Sequence, residues 1–466
     1  MDIPIIGKRI QSLRQKFSQS AGLPIREALP EHVIASALKA ERVTYRCCVF
    51  DPFVTTWAFL CQVLDSDRSC RKAISRVFAY LSDTQQVTDV MDLIGSQSDT
   101  GAYCKARQRL SLNVLKRLYR IVATHQEENA PAEHRWCGRR VFLCDGTTVL
   151  MPDTPENQAA YPQHSNQKEG CGFPLAKLVA IFSLTTGALV EAVSDVWSAY
   201  EPALFRKISA CLKPDDVLVA DAIYCTYADI ALLKKQRVDS VLHLHGSRKV
   251  DFRKGQRLGK NDRIFTWQKP DRCPDSLSQA LFDSLPETLT VRILRFSVIK
   301  KGYKSKPITV VTTLLDANTY QKDQIARLYG LRWEVEIDLR HLKASMEMDM
   351  LRTKTPDMVH KELAMYFLAY NLIRSLMAQA ALVYGKDPLR LSFKGALQHL
   401  NTFLPLLAVS GLKMRKQHYQ MLLLLIAREQ LPYRPGRSEP RMVKRRPKCS
   451  KWLREPRNLI KQKIAA

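Results

Sequence analysis

Long greasy runs are missing from this sequence. No stretch reaches the roughly 18 uncharged apolar residues that a spanning helix needs, and runs such as Met421–Ala427 are far too short. Met1–Lys8 lacks a charged start followed by an apolar core, so no signal peptide is expected. Cysteine motifs are missing too. The 12 cysteines are scattered, no CxxC occurs, and no Cys/His group has zinc-finger spacing. Reduced, mostly buried thiols are the expectation. No internal repeat is found. Acidic residues are scarce: 45 Asp and Glu stand against 72 Lys and Arg, a net charge of +27. That excess argues against an ordinary metabolic enzyme and points to a polyanionic partner, above all nucleic acid. Structural ribosomal-type binding, nucleases and strand-transfer enzymes all fit it. At 46% hydrophobic and 25% charged, the 466 residues are ordinary for a globular chain of several modules.

The first 135 or so residues read as helical. Trp57, Leu60, Val63, Ile74, Val77, Phe78 and Leu81 recur at helical steps, and Leu110–Ile121 repeats the habit. Arg107, Arg109, Lys116, Arg117 and Arg120 decorate the second stretch, which suits either DNA phosphates or a solvated face. Gln126–His134 reads as a linker. The texture then changes to short apolar runs bounded by turn signals. Val141–Cys144 ends at Asp145-Gly146, Leu175–Leu184 and Leu189–Val196 suggest a hairpin, and Val217–Ala220 ends at Asp221. Tyr227–Lys235 reads as a helix and Ser240–Leu244 as a strand. This is the outline of a mixed α/β sheet. From 247 to 313 the pattern is β-rich, with strand-like Arg263–Trp267, Leu289–Ile299 and Ile308–Thr312. Arg248–Arg263 holds seven basic and two acidic residues. The chain is helical again from Ala317. It ends in a basic tail, Arg434–Lys463, whose four prolines argue against a long helix.

The segment Tyr329–Lys343, YGLRWEVEIDLRHLK, is the most informative. On a helix at about 100° per residue, Tyr329, Arg332, Glu336 and Lys343 share an arc of about 60°. Leu328, Val335, Leu339, Leu342 and Met346 fill the adjoining arc, and Glu334 and Asp338 face away. Taken alone, this could be an amphipathic helix with surface charges. The acids after the two apolar strands shift the balance, because a carboxylate on the rim of a sheet sits where sites are built. Asp153, Asp195, Asp215 and Asp216 are rivals in poorer positions. Asp145, Asp221 and Glu336 together suit a two-metal phosphoryl-transfer site, since hard carboxylate oxygens take Mg²⁺ or Mn²⁺.

At these residues the sequence resembles a known family. Tyr329-x2-Arg332-x3-Glu336-x6-Lys343 matches the YREK signature of the insertion-sequence-four family of DDE transposases at every interval. Ser98–Leu110 (SDTGAYCKARQRL), Asp145–Thr148 (DGTT), Val219–Asp221 (VAD), Trp267–Pro270 (WQKP) and Arg437–Pro447 (RSEPRMVKRRP) also look like family segments. The likeness therefore runs over most of the chain.

The resemblance implies a multidomain α/β architecture with a ribonuclease-H-like catalytic core. Its parts would be a helical DNA-end-binding domain (1–135), the first part of the core (136–246) and a β-rich insertion (247–313). The second part of the core with the YREK helix (314–390) and a helical, basic C-terminal region (391–466) would follow. It implies Asp145, Asp221 and Glu336 as catalytic and metal-binding residues, with two Mg²⁺ or Mn²⁺ ions per site. Tyr329, Arg332 and Lys343 would grip phosphates near the element end. Trp267, the lone tryptophan between Gly246 and Thr313, would be the candidate for stacking on a flipped base, although its place beside a strand suits a core role as well. The implied activity is cut-and-paste transposition of the protein's own insertion sequence. It would run through the terminal inverted repeats, hairpin ends and target DNA, in a homodimeric synaptic complex at the bacterial nucleoid in the cytoplasm, with no membrane. Two other readings remain at this point: a ribonuclease-H-fold nuclease without strand transfer, and a decayed or domesticated DNA-binding protein without catalysis. A ribosome-associated structural protein would bind RNA regardless of the three acids.

Overall fold

A computed structural model gives the fold and describes residues 29–46, 48–82, 100–297, 307–432 and 455–465. The amino-terminal octapeptide, Cys47, Cys449, the start of SDTGAYCKARQRL, the RSEPRMVKRRP segment and most of the basic tail lie outside the described residues. So does the end of the Leu289–Ile299 strand. The chain divides into two compact units that interleave in sequence. One is built from residues 1–130, 185–190 and 339–431. The other holds 131–184, 191–338 and 432–466.

The first unit is helical. Its axis is the helix Pro356–Tyr384, which starts with proline in its first turn and stops at Gly385, whose φ of 60° ends the helix in the left-handed region. This helix is apolar on nearly every side and is buried accordingly, packed on the helices Leu112–Glu128, Leu412–Arg428, Pro52–Leu64 and Phe393–Val409. Asn371, fully buried, ties the unit together. Its amide accepts from Leu189 N at 2.8 Å and donates to Leu189 O and Tyr119 O at 2.8 and 3.0 Å. The expected linker at Gln126–His134 starts too early. The helix runs on to Glu128 because Gln126 donates to Asn371 O, and Thr186 donates to Glu127, so both side chains find partners inside the unit. The cysteines are less buried than expected. Of the ten described, Cys61, Cys144 and Cys225 are buried, Cys137 is exposed and the rest are half-buried. No described helix is long and apolar enough to cross a membrane.

The second unit is organised on a nine-stranded sheet: β1 (Val141–Leu150), β2 (Leu175–Ser183), β3 (Leu189–Val196), β4 (Val217–Ala220), β5 (Asp239–His243), β6 (Gln256–Gly259), β7 (Asp262–Gln268), β8 (Thr288–Ser297) and β9 (Pro307–Thr312). The order is β3-β2-β1-β4-β5-β9-β8-β7-β6. β1, β4 and β5 are mutually parallel, and β1 pairs antiparallel with β2. Every residue of Val141–Cys144 and Val217–Ala220 is buried, which explains why these strands read as unbroken apolar runs. The strands of 247–313 continue the same sheet, joined through β9 to β5. Arg292 on β8 is fully buried and meets Asp262 on β7 through two bonds of 2.8 and 2.6 Å.

Two local expectations change. β1 does not stop at Asp145. It continues to Leu150, because β2 supplies partners for residues 145–150 after β4 has ended. The stretch Tyr329–Lys343 is not one α-helix. A helix Lys322–Gly330 passes through a 3₁₀ turn, Leu331–Trp333, into Glu334–Arg340 and then a π-helical turn, His341–Ser345. These changes of pitch rotate the side chains off an ideal wheel. The apolar stripe is buried as expected, but Asp338, placed on the outer face from sequence, is buried as well.

Candidate active site

The site is assembled by register. Cys144 pairs with Ala220, and Ala220 with Leu242. One residue further, Asp145 on β1, Asp221 just past the end of β4 and His243 at the end of β5 therefore stand level on three neighbouring parallel chain segments. Strand alternation sends side chains at level positions to the same face, so the two carboxylates share a face. Each aspartate accepts from the next backbone amide: Asp145 from Gly146 N at 2.8 Å and Asp221 from Ala222 N at 2.6 Å. Asp221 opens the 3₁₀ turn Ala222–Tyr224, where the chain leaves the sheet.

Three signature residues join them. Tyr329 is buried and stacks on His243, ring centres 6.1 Å apart. Burial pushes its phenol up to about 12, with the Arg332 guanidinium working against that and the Asp221 charge adding to it. Burial also lowers His243, opposed by Asp221 and helped by Arg332. Arg332 is 8% exposed. It donates to Glu336 Oε1 at 3.2 Å, and its guanidinium lies 4.8 Å from the centre of the Trp333 ring. Burial raises Asp145 to about 6; the Gly146 bond and Arg332 pull it down, and the charges of Glu201 and Glu336 push it up. Glu336 is thus in the field of Asp145 while paired with Arg332.

Lys343 and Trp267 have surroundings of their own. Lys343 sits in the π-helical turn that is grouped with the helical unit; burial lowers its ammonium and Asp349 raises it. Trp267 is half-buried on β7, with the Arg248 guanidinium 4.2 Å from its ring centre. The rival aspartates are engaged elsewhere. Asp216 takes two bonds of 2.8 Å from Arg140, Asp195 pairs with Lys207 at 2.8 Å and Asp153 with Arg457 at 2.6 Å. Asp215 holds a φ of 71°, a turn position before β4.

Sequence reasoning missed two neighbours. His243 had no signal beyond lying inside the strand-like run Ser240–Leu244. Glu201 opens the helix Glu201–Ile208, and its carboxylate lies 3.6 Å from Lys177 Nζ and 3.4 Å from the Tyr224 hydroxyl. A Cβ on residue 146 would come within 2.6 Å of that carboxylate, so Gly146 makes room for it. Alternation along β1 puts Gly146 on the face opposite Asp145, and Glu201 therefore approaches from the other side of the strand.

The donor chemistry suits a hard divalent cation: carboxylate oxygens from three acids, with burial disfavouring the charge on Asp145 and the Arg332 guanidinium close by. As they stand, no three His, Cys, Asp or Glu side chains among the described residues are gathered tightly enough to hold a metal ion. Glu336 is turned into its bond with Arg332.

Comparison with known proteins agrees with this chemistry. The chain is 28% identical over 355 residues to the transposase InsG for insertion sequence element IS4 of Escherichia coli (strain K12), a match covering 74% of this chain and 76% of that protein. Among solved structures, a cryo-electron microscopy structure of a piggyBac transposase synaptic complex with hairpin DNA matches at 9% identity. Its TM-score is 0.40, with 92% of this chain and 87% of that chain covered, and so loose an overlap adds nothing to the fold. A family model described as the transposase DDE domain matches residues 136–372, half of the chain, including all three acids and the whole signature. The chain belongs to this family: it is a DDE transposase of the insertion-sequence-four family, an enzyme of DNA transposition.

Proposed function

We propose that this transposase binds the terminal inverted repeats of its own insertion sequence and moves that element by cut and paste, with hairpin ends as intermediates. The observation that carries the reading is the level placement of Asp145 and Asp221 on adjacent parallel chain segments, with Glu336 in the field of Asp145. The order β3-β2-β1-β4-β5, with β1, β4 and β5 parallel, supports a ribonuclease-H-like core. Residues 247–313 would be its insertion, and the helical segments 1–135 and 391–466 would engage DNA ends and a second subunit.

DDE transposases use divalent metal ions. Asp145, Asp221 and Glu336 would hold two Mg²⁺ or Mn²⁺ ions, which when bound supply Lewis-acid stabilisation of the attacking and leaving oxygens. Glu336 must leave Arg332 to join the aspartates. That frees the guanidinium for a DNA phosphate, so binding DNA and completing the acid triad favour each other. Tyr329, stacked on His243 and bonded to Arg332, orients this cation. Lys343 would hold a phosphate further along the strand, and Trp267 would stack on a base only by exchanging its Arg248 partner for it. One set of carboxylates serves cleavage, hairpin formation and strand transfer, since each is phosphoryl transfer. Two subunits would synapse the two ends, and the protein would work on the nucleoid in the cytoplasm.

The test uses purified protein, Mg²⁺ and linear DNA carrying the repeats that flank the gene, with Asp145→Ala as control. Cuts at the repeat boundary with hairpinned ends, absent in the control, are expected. Cuts that ignore the repeats would favour a plain nuclease. Repeat-specific binding without cleavage in Mg²⁺ or Mn²⁺ would refute catalysis.

A further inference from the structure

The helical unit contains a second chemically distinct group. Cys70 opens the helix Cys70–Ser82, and Cys104 lies on the helix Gly101–Arg109. Although 34 positions apart, their sulfurs are 3.7 Å from one another, at van der Waals contact. The Arg107 guanidinium donates to Cys70 Sγ at 3.2 Å and to Cys104 Sγ at 3.8 Å. Arg107 is itself held, its guanidinium 5.0 Å from the ring centres of both Phe59 and Tyr103 and bonded to Gln62 Oε1 at 3.2 Å.

Packing alone would bury two such cysteines. Both are instead half-buried and line an open cleft of about 460 Å³, whose other walls include Arg68, Arg352 and Lys354. A small oxidant can therefore reach them. Thiols beside a fixed guanidinium in an electropositive, part-exposed setting are the ones that react, because the cation stabilises the thiolate. Burial opposes this by pushing the Cys70 thiol up, and Arg107 acts to pull it back down.

We propose that Cys70 and Cys104 are a modification site, a dithiol that closes to a disulfide on exposure to a peroxide. One thiol, deprotonated, attacks the peroxide; the O–O bond breaks, leaving a sulfenic acid and hydroxide. The second sulfur attacks the sulfenic sulfur, forming the S–S bond and expelling the hydroxyl group, which leaves as water with that thiol's proton. Two thiols and one hydrogen peroxide thus give one disulfide and two waters. The sulfurs must close from 3.7 Å to a bond of about 2.05 Å, which rotation of two half-exposed side chains allows. The product is a covalent tether between two helices that exists only under oxidising conditions. It depends neither on the three carboxylates nor on the reading of their chemistry.

The experiment treats reduced, full-length protein with hydrogen peroxide under native conditions, blocks remaining thiols, and maps the peptides by mass spectrometry. A Cys70–Cys104 cross-link is expected, two hydrogens lighter than the separate peptides, forming about tenfold faster than oxidation of exposed Cys137. Phenylarsine oxide, which bridges close dithiols, should bind and protect the same two thiols from alkylation. The arsenical binding should be lost in Cys104→Ser. Should that variant not fold, the wild-type peptide map and its protection by the arsenical still decide. Free, alkylatable Cys70 and Cys104 after Cys137 has oxidised would overturn the proposal. So would separate sulfinic acids on the two residues with no cross-link.

Discussion

Replacing Asp145 by asparagine should make the metal-free protein more stable, and only above a certain pH. Burial holds the Asp145 carboxyl near 6 in the folded chain against an ordinary value of 3.8. Because the folded value is the higher one, the folded state holds the proton more tightly than the unfolded chain does. The cost of charging Asp145 therefore builds up between about pH 4 and pH 6, is nearly complete above about 6, and is absent well below 4. At about 1.4 kcal/mol per pH unit, the full cost at pH 8 is about 3 kcal/mol, taken as an upper bound. The asparagine side chain would be uncharged at every pH and would keep an acceptor for Gly146 N. For a unit of this size, about 3 kcal/mol corresponds to an upward shift in Tm of roughly 6–12 °C. The assay is thermal unfolding of both proteins in EDTA at pH 4, 5 and 8. The variant's gain should be nearly full at pH 8, about half of that at pH 5, and small at pH 4. Added Mg²⁺ should then narrow the gap at pH 8, because an ion that binds only the wild-type folded state stabilises it by mass action. A gap that is constant with pH, or a variant less stable at pH 8, would refute the electrostatic argument. Equal stabilisation of both proteins by Mg²⁺ would remove Asp145 from the ligands.

Arg292→Met should destabilise the sheet unit by about 3–5 kcal/mol in urea unfolding, since it leaves the Asp262 carboxylate buried without its partner. Asn371→Ala should cost about 2–4 kcal/mol and raise amide exchange at Leu189, because three buried bonds to the side chain vanish together. Arg332→Ala should weaken binding to repeat-bearing DNA and reduce the slope of log affinity against log salt by about 1, read by fluorescence anisotropy across a salt series. Glu336→Gln should abolish cleavage of the same DNA while leaving anisotropy-measured binding largely intact; lost binding would make Glu336 structural.

Much of the sheet was legible because its central strands are buried on both faces. Val141–Cys144 and Val217–Ala220 have to be unbroken apolar runs, and the acids that follow mark where those runs end. The strand Leu189–Val196 and the helix Tyr227–Lys235 coincide with their sequence limits for a related reason: turn residues flank each apolar pattern. The continuation of β1 was not legible, since most of residues 145–150 are half-buried and depend on β2 for their pairing. Asp338 was misplaced because a wheel of constant pitch cannot foresee the 3₁₀ and π turns on either side of it.

The sequence by itself determined the family, through the spacing of Tyr329, Arg332, Glu336 and Lys343, and the basic character that suits DNA. Spacing and charge are properties of the chain and survive without coordinates. Only the tertiary structure decided that Asp145, Asp221 and His243 stand level and that Glu336 is held by Arg332. It also decided that Glu201 lies behind Gly146 and that Cys70 meets Cys104. Those facts depend on strand register and helix packing, which join residues far apart in the chain, and no local pattern records such pairings.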